Sequence, residues 1–237
     1  MKVPGNIARW LFIFSLPPLI MSAVINVEFN SMWLYEDGFA KYGVSESTGL
    51  DEAELEKVAR GLIDYFNSSD EYIALTVNRN GEKVSLFSER EIIHLRDVKA
   101  LVGMNRHLLM GTAVYTGIYA GFCLFWRRGR YRRKLASSVV IGSLVTLGTI
   151  IALGAGSMLF DFNSLFTRFH LIAFTNEFWM LDPREDYLIM LFPEGFWYDA
   201  ALMLGGISAA IAGALCGSGV IYLKRSGKNS DESGGMS

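Results

Sequence analysis

Cysteine and histidine are scarce in this chain, and both shortages limit the chemistry available to it. Two of the 237 residues are cysteine and three are histidine. Cys123 and Cys216 lie inside apolar runs, where a thiol usually acts as a small hydrophobic group. Because a reactive thiol needs a polar, electropositive setting, the sequence argues against a catalytic cysteine and against a structural disulfide.

Several familiar catalytic signatures are also missing. The sequence has no Gly-rich phosphate-binding loop and no Gly-x-Ser-x-Gly nucleophile elbow. It has no His-x-x-x-His pair. A zinc site would have to combine His94 and His170 with a carboxylate from Asp97, Asp182 or Asp186. We therefore predict neither a metal nor another cofactor.

What the chain does have is apolar residues, which make up 51% of it against 19% charged residues. They form four blocks without a charged residue at the centre, each close to the roughly 20 residues that a membrane-spanning helix needs. The blocks cover residues 10–27, 108–126, 135–160 and 200–223. The first could be a signal peptide, but Ser22-Ala23-Val24 is a poor cleavage site, which favours an uncleaved span.

Basic residues predict the orientation of these spans. Six lie between the second and third blocks: Arg127, Arg128, Arg130, Arg132, Arg133 and Lys134. Three more follow the fourth block: Lys224, Arg225 and Lys228. An arginine-rich run can bind nucleic acid, but its place between two spans favours the positive-inside rule. We predict a multi-pass protein of the cell membrane with both termini cytoplasmic and no nucleic-acid partner.

This topology predicts a membrane α-helical fold with four transmembrane helices, a small extracytoplasmic α/β cap and an aromatic extracytoplasmic loop. The segments are the cytoplasmic N-terminus and first span (1–27), the cap (28–106), the second and third spans with the basic cytoplasmic loop (107–160), the aromatic loop (161–199), and the fourth span with a cytoplasmic tail (200–237).

The cap has patterns of its own. A helical apolar periodicity covers residues 50–67, and two short strands, 73–77 and 84–87, flank the hairpin signal Asn80-Gly81. Ser88 and Glu91 have the spacing of a capping box, which predicts a helix running directly into the second span. The aromatic loop carries many Phe and Trp residues, so we expect it to lie along the membrane surface.

Two of the three histidines fall in the predicted extracytoplasmic segments. His94 stands on the helix that enters the second span, and Asp97, three residues on, shares its helix face and could set its tautomer. His170 lies among aromatic residues, where its charged form is disfavoured. Each could equally be a hydrogen-bonded polar group at an interface. His107 lies at the outer membrane boundary and is interpreted as an interfacial residue.

These segments carry a resemblance to a known family. The stretch from Glu91 to Lys99, which contains His94, Asp97 and Val98, resembles the His-x-x-Asp-Val-Lys segment of the lipoprotein intramolecular transacylases (Lit). A second histidine segment is similar too, with Phe169, His170, Phe174, Asn176 and Trp179. The stretch from Asp182 through Asp186 to Glu194 adds to the likeness, as does the four-span arrangement.

The resemblance implies a membrane acyltransferase. It would move the sn-2 acyl chain of a diacylglyceryl lipoprotein to the α-amino group of the same cysteine, giving a lyso-form lipoprotein. The expected partners are that lipoprotein and membrane lipid. His94 and His170 match the catalytic histidines, and the supporting residues are Asp97, Lys99, Asn176, Trp179, Asp182 and Asp186. The alternative is a non-catalytic membrane protein whose cap binds a lipid or a protein. Convergence of the two histidines on one cleft would favour the enzyme.

Overall fold

The computed structural model describes residues 3–79, 81–125, 129–159 and 161–234. Within these ranges the chain forms nine helices and one two-stranded sheet. In chain order the elements are α1 (Val3–Glu28), α2 (Met32–Lys41), α3 (Val44–Thr48), α4 (Glu52–Asn67), β1 (Thr76–Arg79), β2 (Glu82–Ser85), α5 (Glu89–Phe125), α6 (Gly129–Leu159), α7 (Phe162–Ala173), α8 (Tyr187–Leu191) and α9 (Glu194–Gly234).

The four predicted spans are confirmed. Four described helices contain stretches long and apolar enough to cross a membrane, namely Asn6–Glu28, Glu89–Phe125, Tyr131–Gly156 and Glu194–Ser226. The prediction that one helix runs from the cap into the second span is also confirmed, since α5 is continuous over 37 residues. Trp126 and Phe160, which end two predicted spans, and the basic residues Arg127 and Arg128 lie outside the described residues.

The chain forms two compact units. One comprises residues within 1–25, 106–156 and 204–237, and the other comprises 26–105 and 157–203. In the first unit, α1 packs closely on α6: a Cβ placed on Gly142 would lie 2.4 Å from the side chain of Leu16. Arg9 Nε donates to Ser138 Oγ at 3.1 Å across the same contact. Small residues thus let these helices approach each other, as is usual for helices in lipid.

The second unit has a hydrophobic core built from the cap helices and the last helices of the chain. Val44, Val58 and Leu191 are fully buried there, together with other side chains from α2, α4, β1, α5 and the first turn of α9. Their shared burial removes apolar surface from water, which is the main favourable term in folding. The core therefore includes residues from both predicted extracytoplasmic segments.

The predicted cap helix and hairpin are both present, with shifted strand boundaries. Helix α4 begins after Asp51, whose Oδ1 accepts a hydrogen bond from Glu54 N–H at 2.8 Å, as an N-cap does. The strands pair in antiparallel fashion from Arg79–Glu82 to Thr76–Ser85, closer to the turn than predicted. Gly81 takes a positive φ of 87°, which glycine adopts without strain; Asn80 lies outside the described residues.

Two segments are more helical than the sequence patterns indicate. Residues 28–49 contain α2 and α3, for which the sequence patterns give no prediction. The predicted aromatic loop, 161–199, contains α7 and α8, and α9 already begins at Glu194. Asp161 caps α7 by accepting from Ser164 N–H at 2.8 Å. In α7, Phe162, Leu165, Phe166 and Phe169 recur at helical spacing, a signal that an interpretation based on aromatic content alone does not use.

Candidate active site

A capping box places His94 in the second turn of α5. Ser88 N–H donates to Glu91 Oε2 at 2.7 Å, and Glu91 N–H donates to Ser88 Oγ at 3.4 Å. The predicted box is therefore confirmed, and it satisfies two backbone donors that a helix start otherwise leaves without partners. Because α5 begins at Glu89, His94 stands one turn beyond the cap.

His170 occupies the last turn of α7. Its backbone carbonyl accepts from Phe174 N–H at 2.9 Å, which closes the helix. After this point the chain turns through Asn176 and Trp179 towards α8. The side chain of His170 is only 6% exposed, although its neighbours Phe169 and Ile172 are 54% and 87% exposed.

The two histidines meet although they are distant in sequence. Their ring centroids are 5.9 Å apart and the planes are inclined by 35°. His94 is also 6% exposed. Among the described residues His94 and His170 are the only histidines of the second unit, and both lie in one small aromatic enclosure. The two side chains therefore lie close together, as the enzyme hypothesis expects, and they are enclosed rather than open to a cleft.

Aromatic rings enclose the pair. Phe174 contacts both of them, with its centroid 5.0 Å from His94 and 5.5 Å from His170. The ring of His170 has further aromatic neighbours, Phe166 at 4.2 Å, Trp179 at 5.0 Å and Phe169 at 5.4 Å. The predicted association of Trp179 with this site agrees with these distances. Such walls exclude water and strengthen electrostatic interactions inside.

A backbone carbonyl sets the tautomer of His170. Its Nδ1 lies 2.7 Å from the carbonyl oxygen of Phe166. A carbonyl can only accept, so Nδ1 carries the proton and, in the neutral ring, Nε2 carries the lone pair. Burial lowers the pKa of His170, and the hydrogen bond to Phe166 opposes this only in part. The ring is therefore a neutral base at physiological pH.

His94 has no such partner. Its Nδ1 is fully enclosed and has no hydrogen-bond partner among the described residues. The interpretation that Asp97 sets the tautomer of His94 is therefore wrong. Asp97 Oδ1 accepts from Arg96 at 3.1 Å and Oδ2 accepts from Asn176 Nδ2 at 2.8 Å. The reason is that packing brings Arg96 and Asn176, and not the His94 ring, within hydrogen-bonding distance of this carboxylate.

Asn176 therefore links the segment after α7 to α5. Its Nδ2 donates to Asp97, and its Oδ1 accepts from Phe178 N–H at 3.1 Å. The nitrogen and the oxygen of this side-chain amide thus both fix the chain near Trp179. We assign Asp97 and Asn176 to this positioning contact.

Three other predicted supporting residues make contacts elsewhere. Lys99 Nζ donates to Asp70 O at 2.6 Å and lies 4.1 Å from the Tyr65 ring centroid. Asp182 is bound by Arg184, whose hydrogen bonds lower the pKa of that carboxyl to about 2. Asp186 Oδ2 accepts from Asp182 N–H at 2.7 Å. These contacts stabilise the turn after α4 and the turn before α8.

The zinc alternative lacks a ligand set. Within residues 3–79, 81–125, 129–159 and 161–234, no group of three or more His, Cys, Asp or Glu side chains could hold a metal ion. The carboxylates considered for such a site, Asp97, Asp182 and Asp186, are instead held by Arg96, Arg184 and the backbone of Asp182.

Two hydrogen bonds at this site were not predicted from the sequence. The carbonyl of Phe166 holds His170, and the only sequence signal for this is their spacing of one helical turn. The second carboxylate oxygen of Glu91 accepts from Leu188 N–H at 2.6 Å. The capping-box pattern predicts only the contact with Ser88, because it concerns residues close in sequence.

Comparison with known proteins gives a consistent result. A search of curated proteins gave no match. The chain resembles the crystal structure of the membrane integral lipoprotein intramolecular transacylase Lit from Bacillus cereus, with a TM-score of 0.78 and 20% sequence identity over 96% of this chain and 99% of that one. It also resembles a variant of that protein with a histidine replaced by arginine, with a TM-score of 0.75 and 20% identity over 95% and 94%.

The structural likeness shows a shared fold at low sequence identity. The family model for the lipoprotein intramolecular transacylase Lit matches residues 10–197. This range includes the second and third membrane helices, most of the first, the beginning of the fourth, the cap, and both histidines. The chain therefore belongs to the lipoprotein intramolecular transacylase (Lit) family.

Proposed function

We propose that His94 and His170 catalyse acyl transfer within a diacylglyceryl lipoprotein. The sn-2 acyl chain moves to the α-amino group of the N-terminal cysteine, and the product is a lyso-form lipoprotein. Family membership makes this chain an acyltransferase of lipoproteins. The observation that supports the residue assignment is the meeting of two buried histidines 5.9 Å apart in an aromatic enclosure.

His170 is the general base in this scheme. An α-amino group has a pKa of about 8 when unperturbed, so its neutral form is available near neutral pH. As nitrogen attacks the ester carbonyl it must lose a proton, and a base within hydrogen-bonding reach accelerates that step. The lone pair of His170 Nε2 is free for this purpose because Nδ1–H is bound to Phe166.

His94 is the hydrogen-bond donor and acid. Its Nδ1 is enclosed without a partner, so only Nε2 can meet a substrate. A buried N–H without an acceptor is costly, which favours the tautomer with the proton on Nε2. That N–H stabilises the developing charge on the ester carbonyl oxygen and protonates the departing alkoxide.

The acyl transfer needs no covalent enzyme intermediate, because its bonds and protons balance without one. One C–N bond forms and one ester C–O bond breaks. His170 takes the proton lost by the amine, His94 gives its proton to the alkoxide, and the proton on His170 passes to His94, so both rings end neutral. This agrees with the burial of Cys123, which leaves it unsuited to attack a substrate. Donor and acceptor belong to one molecule, so holding them in the reactive geometry supplies much of the rate.

The substrate also determines the expected place of the site. Exported lipoproteins present both the lipid ester and the N-terminal cysteine at the outer leaflet. The proposed orientation, with both termini cytoplasmic, brings His94 and His170 to that side of the membrane. The positive-inside distribution of arginine and lysine supports it.

Substitution of each histidine tests the proposal. His94→Ala and His170→Ala should each lower lyso-lipoprotein formation by about 100- to 10,000-fold, the range typical of lost acid–base catalysis. The double variant should lose less than the product of the two effects, because residues that act as a unit are not additive. The measurement is mass spectrometry of a lipoprotein N-terminus after incubation with the purified protein in vesicles.

His107 supplies a matched control, because it is the third histidine, lies on α5 as His94 does, and is exposed. His107→Ala should retain activity close to that of the unchanged protein. Near-normal product from His94→Ala or His170→Ala at equal protein levels would remove that histidine from the mechanism. Binding of the lipoprotein without conversion by the unchanged protein would favour the non-catalytic alternative.

A further inference from the structure

Glu91 is a buried carboxylate close to the histidine pair. It is 1% exposed and stands three residues before His94, on the same face of α5. A buried charge requires hydrogen-bond partners to compensate for its lost hydration. Both oxygens have one: Oε2 accepts from Ser88 N–H at 2.7 Å, and Oε1 accepts from Leu188 N–H at 2.6 Å.

The contact with Leu188 joins residues 97 positions apart, whereas a capping box joins residues three positions apart. Leu188 belongs to α8, which ends the segment that begins after α7 and carries Trp179. Two other contacts hold that segment to α5: Arg90 donates to the carbonyl of Glu177 at 2.9 Å, and Asn176 donates to Asp97 at 2.8 Å. Arg90 is exposed and Asp97 is partly exposed, whereas Glu91 is enclosed.

Burial determines which of these hydrogen bonds is the strongest. Charge-assisted hydrogen bonds are stronger where water is excluded, and the two accepted by Glu91 are short. Removing the carboxylate would leave two backbone N–H groups without acceptors, that of Ser88 directly before α5 and that of Leu188 on α8. The chain on either side would then move to reach water or another acceptor.

We propose that Glu91 is a positioning residue for the proposed acyl transfer. It holds the segment with Trp179 against α5, so that Trp179 and Phe174 keep the rings of His94 and His170 facing each other. This role rests on the proposed function, because the reaction that Glu91 would support is the proposed acyl transfer. Glu91 itself does not touch substrate; it acts through the placement of the two histidines.

The test compares Glu91→Gln with Glu89→Gln in the full chain reconstituted in lipid vesicles. Glutamine has the shape of glutamate but turns an NH₂ group towards one of the two N–H donors. Glu89 lies in the same first turn of α5 and is exposed, so it controls for charge. With a diacylglyceryl lipopeptide, Glu91→Gln should lower kcat by about 10- to 100-fold, because a displacement of about 1 Å can cost about 100-fold. Glu89→Gln should leave kcat unchanged.

Two further readouts separate positioning from other roles. The pH at which the rate falls to half should be the same in Glu91→Gln as in the unchanged protein, whereas loss of an acid–base group would remove a limb of the profile. Hydrogen–deuterium exchange over residues 174–192 should become faster in Glu91→Gln and stay unchanged in Glu89→Gln. Glu91→Asp keeps the charge but is one methylene too short for both donors, and should be intermediate.

The outcomes distinguish the two hypotheses. If the unchanged protein forms no lyso-form product, the proposed acyl transfer itself is wrong. If it does form product and Glu91→Gln stays within about twofold of its kcat, or exchange over residues 174–192 does not change, the role of Glu91 is wrong and the histidine mechanism stands. A lowered kcat with an unshifted pH profile and faster exchange supports the inference.

Discussion

The two histidines of the site differ in what holds their rings. His170 is bound through Nδ1–H to the carbonyl of Phe166 and contacts Trp179, whereas His94 Nδ1 is enclosed without a hydrogen-bond partner among the described residues. Identical side chains in different settings are a common way to obtain an acid and a base at one pH. The division of roles proposed above rests on this difference.

The pH dependence of stability tests the setting of His170. Burial holds its pKa below the ordinary value of 6.5. Above that pH the ring is neutral whether the chain is folded or unfolded, so it adds no pH dependence. As the pH falls below 6.5, the unfolded chain takes up a proton that the folded chain resists, so the free energy of unfolding decreases.

His170→Gln removes this titration and serves as the reference. Thermal unfolding in detergent should show the unchanged protein losing more stability than His170→Gln between about pH 7.5 and about pH 5.5. Near the upper pH, the difference in unfolding temperature between the two proteins should not change with pH. If that difference also stays the same down to the lower pH, or changes in favour of the unchanged protein, the pKa of His170 is not lowered.

At the scale of secondary-structure elements, helix α5 has several functions. It begins with the capping box, presents His94 in its second turn and continues into an apolar stretch suited to the membrane. Its 37 residues exceed the roughly 20 that a span requires, so part of the helix serves the cap. A continuous helix is a rigid support, and rigid supports hold catalytic groups more accurately than loops do.

Close packing of α2 on the first turn of α9 gives a prediction for stability. A Cβ on Gly38 would lie 2.5 Å from the ring of Phe196, and that ring is 4% exposed within the cap core. Nearby, Tyr42 OH donates to Asp199 Oδ2 at 2.7 Å and holds the same pair of helices together. Gly38→Ala should therefore destabilise the protein by about 1–3 kcal/mol, as overpacking does.

The control is Gly103→Ala on α5, where no described atom lies within 4 Å of the added Cβ. Alanine favours a helix over glycine by up to about 1 kcal/mol, so this variant should be neutral or slightly more stable. Thermal midpoints in detergent compare the two directly. A midpoint for Gly38→Ala equal to or above that of Gly103→Ala would show that α2 and α9 are not packed this closely.

At the scale of the whole molecule, charge predicts orientation. The basic loop and the basic tail should be cytoplasmic. In a variant without the native cysteines, Asn80→Cys should react with a membrane-impermeant maleimide in intact cells and Gly129→Cys should not. Permeabilised cells should label both, which controls for reactivity. Labelling of Gly129→Cys in intact cells would invert the topology and place the histidines on the wrong side for an exported lipoprotein.

The sequence by itself determined the membrane helices, the hairpin and the start of α5. Each depends on residues near one another in the chain: an apolar run of spanning length, the glycine at position 81, and the spacing of Ser88 and Glu91. The resemblance to the Lit family, which the family match confirms, had the same local basis in two short histidine segments.

Only the tertiary structure decided which polar groups meet. Asp97 stands one turn from His94 yet binds Asn176 from a distant segment, and Glu91 binds Leu188 as well as its neighbour Ser88. Lys99, Asp182 and Asp186, which match the family's segments, are bound away from the histidines by Asp70, Arg184 and Asp182 N–H. The physical reason is that a hydrogen bond forms with whichever partner packing brings within about 3 Å, and a one-dimensional pattern does not contain that distance.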